Sequence, residues 1–432
     1  MPKACLITLG CPKNTVEGEN IAGMLEAAGW SMTTRLDGVD CAIVHTCSFI
    51  KDSRNESEDA IRSMAALKKK GLIGKLYVTG CLAQEEKKKL LRNFTAVDGI
   101  IGTGELQKLP ELIGGCNPSI NFIPGGLLET NSTRLLSSAA PSAYLRIAEG
   151  CNHKCSFCII PSLRGKYKSR EMNSIVKEAK GLAACGIKEL VLIAQDTTFY
   201  GKDLYGNFKL PLLLKKLARV KGIEWIRLLY AYPDTLTDEM LDVIREEKKI
   251  CKYIDIPLQH VSDNVLRAMK RKPGVRKLVE NIKARVPGVS IRTTFITGFP
   301  GETKEDFNEL LEFVKEGHFE HMGAFEYSPH PGTLSASYPA QVNERLKIER
   351  KNALMLAQQK VVNIKNKGRV GKILDVLIDG FAENAVIARS RFQAPEIDGI
   401  VYVKGKTGNK VIGKAKITGF KNYDLTGQLI KR

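Results

Sequence analysis

The sequence has no apolar run long enough for a membrane span. None of its runs approaches the roughly 18 consecutive apolar residues that a spanning helix requires. The start, MPKACLITLGC, is typical of a β-strand rather than of a charged and then apolar leader, so we expect no export signal. We therefore expect the chain to stay in the reducing cytoplasm, without a membrane partner, where disulfides rarely persist.

The cysteines lack the grouping that is typical of structural zinc. Eleven cysteines in a cytoplasmic chain favour metal ligation or catalysis over cross-links. Three of them, the loop trio, stand in one short segment, Cys151-Asn-His-Lys-Cys155-Ser-Phe-Cys158. Zinc usually takes four ligands in two pairs, and a conventional iron–sulfur site takes four thiolates. Three thiolates on a four-iron cluster would leave one iron open to a small molecule. His153 could be a fourth ligand, although an exposed histidine is the simpler interpretation.

A second group of three cysteines, the sheet-edge trio, is dispersed along the chain. Cys11, Cys47 and Cys81 each end a predicted strand, and the strands cover Lys3–Leu9, Cys41–Thr46 and Leu76–Thr79. The carboxyl ends of parallel strands share one sheet edge, where open α/β folds bind ligands. The trio could therefore hold a second cluster with one open iron. The alternative is that these cysteines are small core hydrophobes, an interpretation that fits Cys5, Cys41, Cys116, Cys185 and Cys251 better.

The spacing of apolar residues predicts three α/β or β segments. Strands alternate with helices over residues 1–115, which predicts a mostly parallel sheet covered on both faces. Residues 116–142 lose this periodicity and are expected to form a linker. Six strand–helix repeats over residues 143–367 are too few for a closed eight-stranded barrel, so we expect a partial (β/α)6 barrel with a trailing helix over 341–367. Residues 368–432 read as a small antiparallel β-barrel. The strands predicted in the partial barrel are Ala143–Ala148, Glu189–Ala194, Glu224–Tyr230, Tyr253–Pro257, Ser290–Thr297 and His321–Tyr327.

The loop trio resembles the signature of radical S-adenosylmethionine (SAM) enzymes, because its spacing is C-x₃-C-x₂-C. In that superfamily the amino and carboxylate groups of SAM chelate the open iron. An electron from the cluster then cleaves SAM to a 5′-deoxyadenosyl radical, while the protein orients and shields the cofactor.

Four further residues are candidates for binding this cofactor. Gln195 and Gln259 end predicted barrel strands and could bind its polar groups, or could instead satisfy backbone amides. The segment from Thr294 to Gly301 places glycines at a strand end, where backbone at Thr294 and Gly298 could approach an adenosyl group. That segment lacks the Lys-Ser/Thr of a phosphate loop and the full dinucleotide fingerprint. A simple strand-to-helix turn is the alternative.

From end to end the chain resembles the methylthiotransferases of the radical SAM superfamily. The motifs that carry the resemblance are LGCPKN at 9–14, EGCNHKCSFCIIPSLRGKYKSR at 149–170, IRLLYAYP at 226–233, IDIPLQHVSDNVLRAMKR at 254–271, RTTFITGFPGET at 292–303 and APEIDG at 394–399. The motifs CPKN, LLYAYP and APEIDG resemble those of the branch that modifies an aspartate of a ribosomal protein, rather than those of the branch that modifies tRNA adenosine.

The resemblance implies a methylthiotransferase domain, a radical SAM partial barrel and a terminal OB-like TRAM domain. It implies two 4Fe-4S clusters: a radical-generating cluster on the loop trio, Cys151, Cys155 and Cys158, and an auxiliary sulfur-delivering cluster on the sheet-edge trio, Cys11, Cys47 and Cys81. Phe157 would pack beside the adenine of SAM. The two open irons would have to face one cavity between the domains.

The same resemblance implies a reaction. A conserved aspartate of small-subunit ribosomal protein twelve would become β-methylthio-aspartate. One SAM would methylate sulfur, and another would yield the radical that removes hydrogen from the aspartate β-carbon. The usual electron donor is a flavodoxin or a ferredoxin.

The charge of the chain leaves the substrate open. The net charge is +19, which favours a polyanion partner. Residues 368–432 alone carry twelve Lys and Arg against six Asp and Glu, a balance that favours RNA over a basic protein. Either the acidic residues form one face while lysines contact ribosomal RNA, or the substrate is tRNA. The acidic residues in question are Asp375, Asp379, Glu383, Glu396 and Asp398. A non-enzymatic RNA-binding metalloprotein is a third possibility, although both cysteine trios lack the fourth ligand of a closed site.

Overall fold

The structure is a computed structural model that describes residues 1–116, 120–126, 134–138, 141–383, 385–405 and 411–430. It divides into two compact units. The first comprises residues 1–139, 146–153 and 158–170, and the second comprises residues 140–145, 154–157 and 171–432.

The first unit is built on a five-stranded parallel sheet with the strand order β2-β1-β3-β4-β5. Its strands are β1 (Lys3–Thr8), β2 (Ser31–Met32), β3 (Val39–Thr46), β4 (Ile73–Gly80) and β5 (Gly99–Ile101). Its helices are α1 (Pro12–Ala27), α2 (Lys51–Lys69), α3 (Cys81–Glu86), α4 (Lys88–Asn93) and α5 (Leu109–Ile113), with a 3₁₀ turn at Thr103–Lys108.

Helices cover both faces of this sheet, as the alternating pattern predicts. Successive side chains of a strand point to opposite faces. Ala42 and Val44 of β3 therefore pack in the cluster that includes α2, whereas Cys41 and Ile43 pack in the cluster that includes α1 and α5. A strand buried on both faces is typical of a parallel sheet.

Two details of this unit depart from the sequence-based expectation. The alternating pattern predicts one helix after β4, but two short helices, α3 and α4, follow it, because Lys87 adopts a positive φ of 52° that ends the first helix. Strands β2 and β5 were not expected, since two and three residues are too few to show an alternation.

The central part of the chain supplies β6 to β13 and α6 to α14. The strands are β6 (Ser142–Arg146), β7 (Ala148–Glu149), β8 (Lys168–Ser169), β9 (Glu189–Ile193), β10 (Trp225–Leu228), β11 (Ile250–Asp255), β12 (Ser290–Thr297) and β13 (His321–Glu326). The helices are α6 (Ile160–Arg164), α7 (Met172–Ala184), α8 (Lys202–Tyr205), α9 (Leu210–Ala218), α10 (Asp238–Glu246), α11 (Asp263–Ala268), α12 (Val275–Arg285), α13 (Lys304–Lys315) and α14 (Glu344–Lys367), with a 3₁₀ turn at Leu334–Ser337.

Six of these strands form one open sheet in chain order, β6-β9-β10-β11-β12-β13. The pairs from β9 to β13 are parallel, so their carboxyl ends meet at one edge. This confirms the partial barrel. The expected strand Ala143–Ala148 ends at Arg146, and β7 instead pairs antiparallel with β8 in the first unit.

The last strands form a small closed barrel in the order β14-β15-β16-β18-β17. They are β14 (Ile373–Ala382), β15 (Ala385–Ser390), β16 (Val401–Lys404), β17 (Ile412–Lys421) and β18 (Asp424–Leu429). The barrel is confirmed, but it is not antiparallel throughout, because β16 and β18 pair in parallel.

The terminal barrel binds to the central sheet through buried ion pairs. Arg389 lies 2.8 Å from Glu189 and 2.7 Å from Asp379. Asp398 accepts a hydrogen bond of 2.7 Å from the Tyr253 hydroxyl, and Glu396 accepts one of 3.0 Å from Tyr144. Asp379 and Asp398 therefore serve as internal acceptors, because buried cations and hydroxyls require them. Glu396 accepts from Tyr144 but is itself an exposed residue. The clustering of the acidic residues on one face stays a prediction.

The expected linker lies partly outside the described residues, which omit 117–119, 127–133 and 139–140. Its described residues up to 138 belong to the first unit. Gln84 donates to the Phe122 carbonyl at 2.7 Å, and Ser137 donates to Glu19 through both its amide and its hydroxyl. The domain boundaries at 115, 142 and 367 stay predictions.

None of the helices in the described ranges combines the length and apolar character that crossing a bilayer requires.

We predict that Arg389→Met destabilises the protein. Burial alone would raise the pKa of the Glu189 carboxyl, but Arg389 and Arg227 more than offset that effect and lower the pKa to about 2. Removing Arg389 deprives Glu189 and Asp379 of a buried cation, which costs about 3–5 kcal/mol in a buried pair. Urea unfolding measures the loss. Arg245→Met, which removes an exposed ion pair, should cost less than about 1 kcal/mol, and equal losses in the two variants would contradict the prediction.

Candidate functional site

The structure brings the sheet-edge trio together at the carboxyl ends of β1, β3 and β4. Cys11 is the N-cap of α1, Cys47 follows β3 directly and Cys81 begins α3. Burial raises the pKa of the Cys47 thiol, and the neighbouring Cys11 raises it further. Cys81 interacts electrostatically with both other thiols. The three sulfur atoms therefore lie near one another, although residues 11, 47 and 81 are far apart in the sequence.

Two glycines allow this close approach. Gly10 has a φ of +94°, and a Cβ there would lie 2.6 Å from the Cys47 Cβ. Gly80 has a φ of +91°, and a Cβ there would lie 2.5 Å from the Thr46 carbonyl oxygen. Any larger residue would separate the strand ends, so these glycines are needed for the trio to converge.

Polar side chains hold the loops in place. Asn14 donates to the carbonyls of Leu9 at 2.8 Å and Thr46 at 3.0 Å, and it thereby joins the ends of β1 and β3. The Ser57 hydroxyl accepts from the Cys47 amide at 3.0 Å and donates to the Cys47 carbonyl at 2.8 Å. Asn14 belongs to the LGCPKN motif, whose asparagine the sequence did not identify as a site residue.

A buried ion cluster lies beside the trio. The Glu17 carboxylate is 2.6 Å from Arg164, 2.8 Å from Arg146 and 3.3 Å from His45. Burial would raise the pKa of Glu17, but Arg164, His45 and Arg146 outweigh this effect and lower it well below its usual value. Sequence reasoning did not find these residues. The signal in the sequence is that Arg164 lies within the motif at 149–170, and that Glu17 and Arg146 lie three residues outside a motif, whereas His45 is near none of the motifs.

Arg164 also contacts the trio, because its Nη2 lies 3.2 Å from the Cys81 Sγ. Burial raises the pKa of the Cys81 thiol to about 12, and Arg164 acts in the opposite direction. The guanidinium thus favours the thiolate form, which is the form that binds metals.

The first and last cysteines of the loop trio belong to the first unit. The Cys151 amide donates to the Gly165 carbonyl at 3.1 Å, and the Tyr167 amide donates to the Asn152 side chain at 3.0 Å. Because Gly165 follows Arg164, the turn that holds Cys151 adjoins the residue that contacts Cys81.

Cys155 belongs to the second unit and has two polar neighbours there. The Tyr232 hydroxyl lies 3.7 Å from its Sγ, and Arg271 Nη1 lies 3.8 Å away. The Arg271 guanidinium lies 4.2 Å from the Tyr232 ring centroid, a cation–π contact that orients both groups.

The remaining predicted cofactor residues lie in the second unit. Phe157 packs edge-to-face on Phe299, with 6.4 Å between ring centroids. Gln259 has a φ of +73°, donates its amide to the Thr294 carbonyl at 2.8 Å and forms a parallel bridge with Phe295. Gln195 follows β9 and is half-buried. The roles of Phe157, Gln195, Gln259 and Thr294 in binding SAM stay predictions.

Gly298 has a packing reason to be glycine. A Cβ there would lie 2.3 Å from the Lys347 side chain, and its amide donates to Glu302 at 2.7 Å. These contacts favour the strand-to-helix turn, and the approach of an adenosyl group at Gly298 stays a prediction.

The donor chemistry of the two trios fits iron–sulfur clusters. Within the described ranges, no three His, Cys, Asp or Glu side chains are placed to share a single metal ion. In a cluster each thiolate binds a different iron atom, so the sulfur atoms lie farther apart than the ligands of one ion. Thiolates are soft ligands that suit such a cluster.

Comparison with known proteins gives three family matches. Residues 3–102 match the Uncharacterized protein family UPF0004, residues 145–314 match the Radical SAM superfamily, and residues 370–430 match the TRAM domain.

Two curated relatives are similar over nearly their whole length. The chain is 46% identical to the ribosomal protein uS12 methylthiotransferase RimO of Endomicrobium trichonymphae, over 98% of each chain. It is 45% identical to RimO of Geotalea uraniireducens strain Rf4, over 99% of this chain and 98% of that one.

Among solved structures, the fold resembles the radical S-adenosylmethionine methyltransferase TsrM from Kitasatospora setae, which was solved with cobalamin and a 4Fe-4S cluster bound. The TM-score is 0.56 at 16% identity, over 78% of this chain and 77% of that one.

We predict that the cysteines of the metal-free protein differ strongly in alkylation rate. The thiolate is the reactive form, so Cys47 and Cys81, which are buried and have raised pKa values, should react slowly with iodoacetamide at pH 8. Their rates should rise as the pH increases, because the thiolate fraction grows. Cys116 and Cys185 are exposed and serve as the control in the same digest. Peptide mass spectrometry that found equal rates at all four cysteines would contradict the described burial.

Proposed function

The chain belongs to the RimO family of radical SAM methylthiotransferases, and from that premise we propose that it modifies ribosomal protein uS12. The product is β-methylthio-aspartate at a conserved aspartate. The observation that supports this proposal most directly is the identity of 46% with a curated uS12 methylthiotransferase over 98% of the chain. The convergence of Cys11, Cys47 and Cys81 at one sheet edge is consistent with it.

The proposed cofactors are two 4Fe-4S clusters and SAM. When bound, they supply an electron, a 5′-deoxyadenosyl radical, sulfur and a methyl group, with one SAM used to methylate sulfur and another to form the radical. The loop trio holds the radical-generating cluster, and the sheet-edge trio holds the auxiliary cluster.

The chain's own residues then position and shield these groups. Tyr232 and Arg271 orient Cys155, and Ser156 fixes the loop through a hydrogen bond of 3.1 Å from its amide to the Met269 carbonyl. Asn14 and Ser57 hold the turns that present Cys11 and Cys47. Phe157 would pack beside the adenine of SAM, and Gln195, Gln259, Thr294 and Gly298 would be further SAM contacts. The protein acts in the cytoplasm and receives its electron from a flavodoxin or a ferredoxin.

The decisive experiment compares two substrates. Reduced, iron-reconstituted enzyme with SAM is incubated with uS12 and, separately, with tRNA, and both products are weighed. The expected result is a mass gain on uS12 equal to the replacement of one hydrogen by a methylthio group. A gain on tRNA alone would instead support the tRNA-adenosine branch, and tetrahedral zinc in place of iron would support a non-enzymatic metalloprotein.

We predict that the two trios have separable functions. Cys155→Ala should abolish deoxyadenosine formation, because it removes a ligand of the radical-generating cluster. Cys47→Ala should still form deoxyadenosine but should not insert sulfur. Chromatography of deoxyadenosine and the mass of uS12 measure the two steps. Cys41→Ala, which alters a cysteine within β3, is the matched control and should do both. Sulfur insertion by Cys47→Ala would contradict the auxiliary-cluster assignment.

We further propose that the terminal barrel contacts ribosomal RNA. Lys416 of β17 and Lys404 of β16 both pair with Gln428 of β18, so their side chains lie in one row across the sheet. Lys414 is two residues before Lys416 in β17 and therefore lies on the same face. All three lysines are exposed. Such a basic row suits phosphate contacts.

Replacing Lys404, Lys414 and Lys416 together by Gln should weaken RNA binding and its salt dependence. Each lost phosphate contact lowers the slope of log K against log salt by about 0.7 for single-stranded RNA. Fluorescence anisotropy at several salt concentrations measures the slope with an rRNA fragment. The control replaces the exposed lysines Lys177, Lys215 and Lys216, and an equal effect of the two triple variants would contradict a specific RNA face.

A further inference from the structure

Arg164 makes a contact that its role in the ion cluster does not require. We propose that its guanidinium donates an N–H···S hydrogen bond to Cys81 when that thiolate ligates the auxiliary cluster, and that this bond sets the reduction potential of the cluster. The inference rests on the proposed function, because it takes Cys81 as a cluster ligand. Arg164 is thus a positioning residue that acts through Cys81.

The two terminal nitrogens of the guanidinium have different partners. Nη1 binds the Glu17 carboxylate at 2.6 Å, whereas Nη2 lies 2.9 Å from the Asn14 side-chain oxygen and 3.2 Å from the Cys81 sulfur. Because the guanidinium is planar, binding Glu17 and Asn14 fixes the direction of the remaining N–H bonds. The sulfur of Cys81 lies in that direction.

Burial holds this arrangement. The Arg164 side chain is 3% exposed, and those of Glu17 and Asn14 are fully buried. If Arg164 turned away from Cys81, it would also leave Glu17, a buried carboxylate, without one of its cations, which is costly. The contact with sulfur is therefore maintained by the ion cluster behind it.

Arg146 shows that the ion cluster can be satisfied without a cysteine. Its Nη1 binds Glu17 at 2.8 Å and Glu149 at 3.0 Å. If Arg164 only neutralised Glu17, either side of its guanidinium could face the carboxylate. The geometry instead places the second edge of Arg164 on Asn14 and Cys81.

The donors differ between two ligands of the same trio. Cys47 lies beside the Phe49 backbone amide and the Ser53 hydroxyl, which are neutral donors, and Arg164 acts on it only through its charge, whereas Cys81 receives a hydrogen bond from the guanidinium itself. Hydrogen bonds to the sulfurs, together with burial, set the potential of an iron–sulfur cluster. A cationic donor stabilises the reduced cluster, which is the more negative state, so Arg164 should raise the potential.

Its position in the chain connects Arg164 to the other trio. Helix α6 begins two residues after Cys158 and ends at Arg164, and the next residue, Gly165, accepts the Cys151 amide at 3.1 Å. One short segment of the first unit therefore holds Cys151 by its backbone and Cys81 by its side chain.

The test uses the full chain with Cys151, Cys155 and Cys158 replaced by Ala, so that only the auxiliary cluster is present. EPR-monitored redox titration gives its midpoint potential, and iron and sulfide analysis gives its content. Adding Arg164→Gln should make the midpoint more negative. Arg164→Lys, which keeps the charge but loses the planar pair of donors, should give an intermediate value. The matched control is Arg134→Gln, because Arg134 is a buried arginine of the same unit that binds Glu19, and it should keep the parent midpoint.

The outcomes separate this inference from the proposed function. If the triple-alanine parent holds no 4Fe-4S cluster, the auxiliary-cluster assignment itself is wrong. If the parent holds the cluster and Arg164→Gln leaves the midpoint unchanged, the role of Arg164 is wrong while the proposed function stands. Should Arg164→Gln fail to fold, Arg164→Lys decides, because a midpoint equal to that of the parent would overturn the inference. A shift of the same size in Arg134→Gln would also overturn it.

Discussion

The carboxylate of Glu17 binds two arginines in a fully buried site, and the arrangement of the amino-terminal cysteines depends on this ion cluster. Burying a carboxylate costs several kcal/mol unless cations and hydrogen bonds compensate it. Arg164 and Arg146 supply that compensation, and His45 approaches the other carboxylate oxygen. Because Glu17 lies in the second turn of α1, the cluster holds the start of that helix, which Cys11 caps. It also holds the segment after the C-x₃-C-x₂-C loop against the first sheet.

Buried ion pairs also join parts of the second unit. Arg389 and Asp398 of the terminal barrel form ion pairs with residues of the central sheet. Most of these partners lie near the amino ends of the strands, since Glu189 begins β9 and His321 begins β13. The carboxyl ends, where Tyr230, Gln259 and Gly298 lie, are the opposite edge of the same strands. A charge count from the sequence treats Arg389, Asp379 and Asp398 as surface charges, but in the structure they form internal ion pairs. The net charge of residues 368–432 therefore understates how basic the exposed face of the barrel is.

Much of the architecture could be predicted from the sequence, because alternating apolar periods report burial directly. Strand β12 was predicted with the observed bounds, Ser290–Thr297, and the trailing helix differed only at its start. The strand-end positions of Cys11, Cys47 and Cys81 followed from the same periodicity. The two failures have different causes. Lys87 ends a helix through its own backbone conformation, whereas the β16–β18 pair is parallel because the pairing of strands is decided in three dimensions. Arg164 could not be identified, since nothing in the motif IPSLRG shows which residue its side chain reaches.

The sequence by itself determined the order of strands and helices, the spacing of the C-x₃-C-x₂-C loop and the family of the chain, because these depend on residues that are neighbours along the chain. Only the tertiary structure decided which distant groups meet. The convergence of three cysteines, the pairing of Glu17 with Arg164 and the contact of Arg164 with Cys81 join residues as much as 147 positions apart. Contacts of this kind arise from the packing of a parallel sheet and from the need of buried charges for partners, and neither leaves a pattern that can be read within one segment.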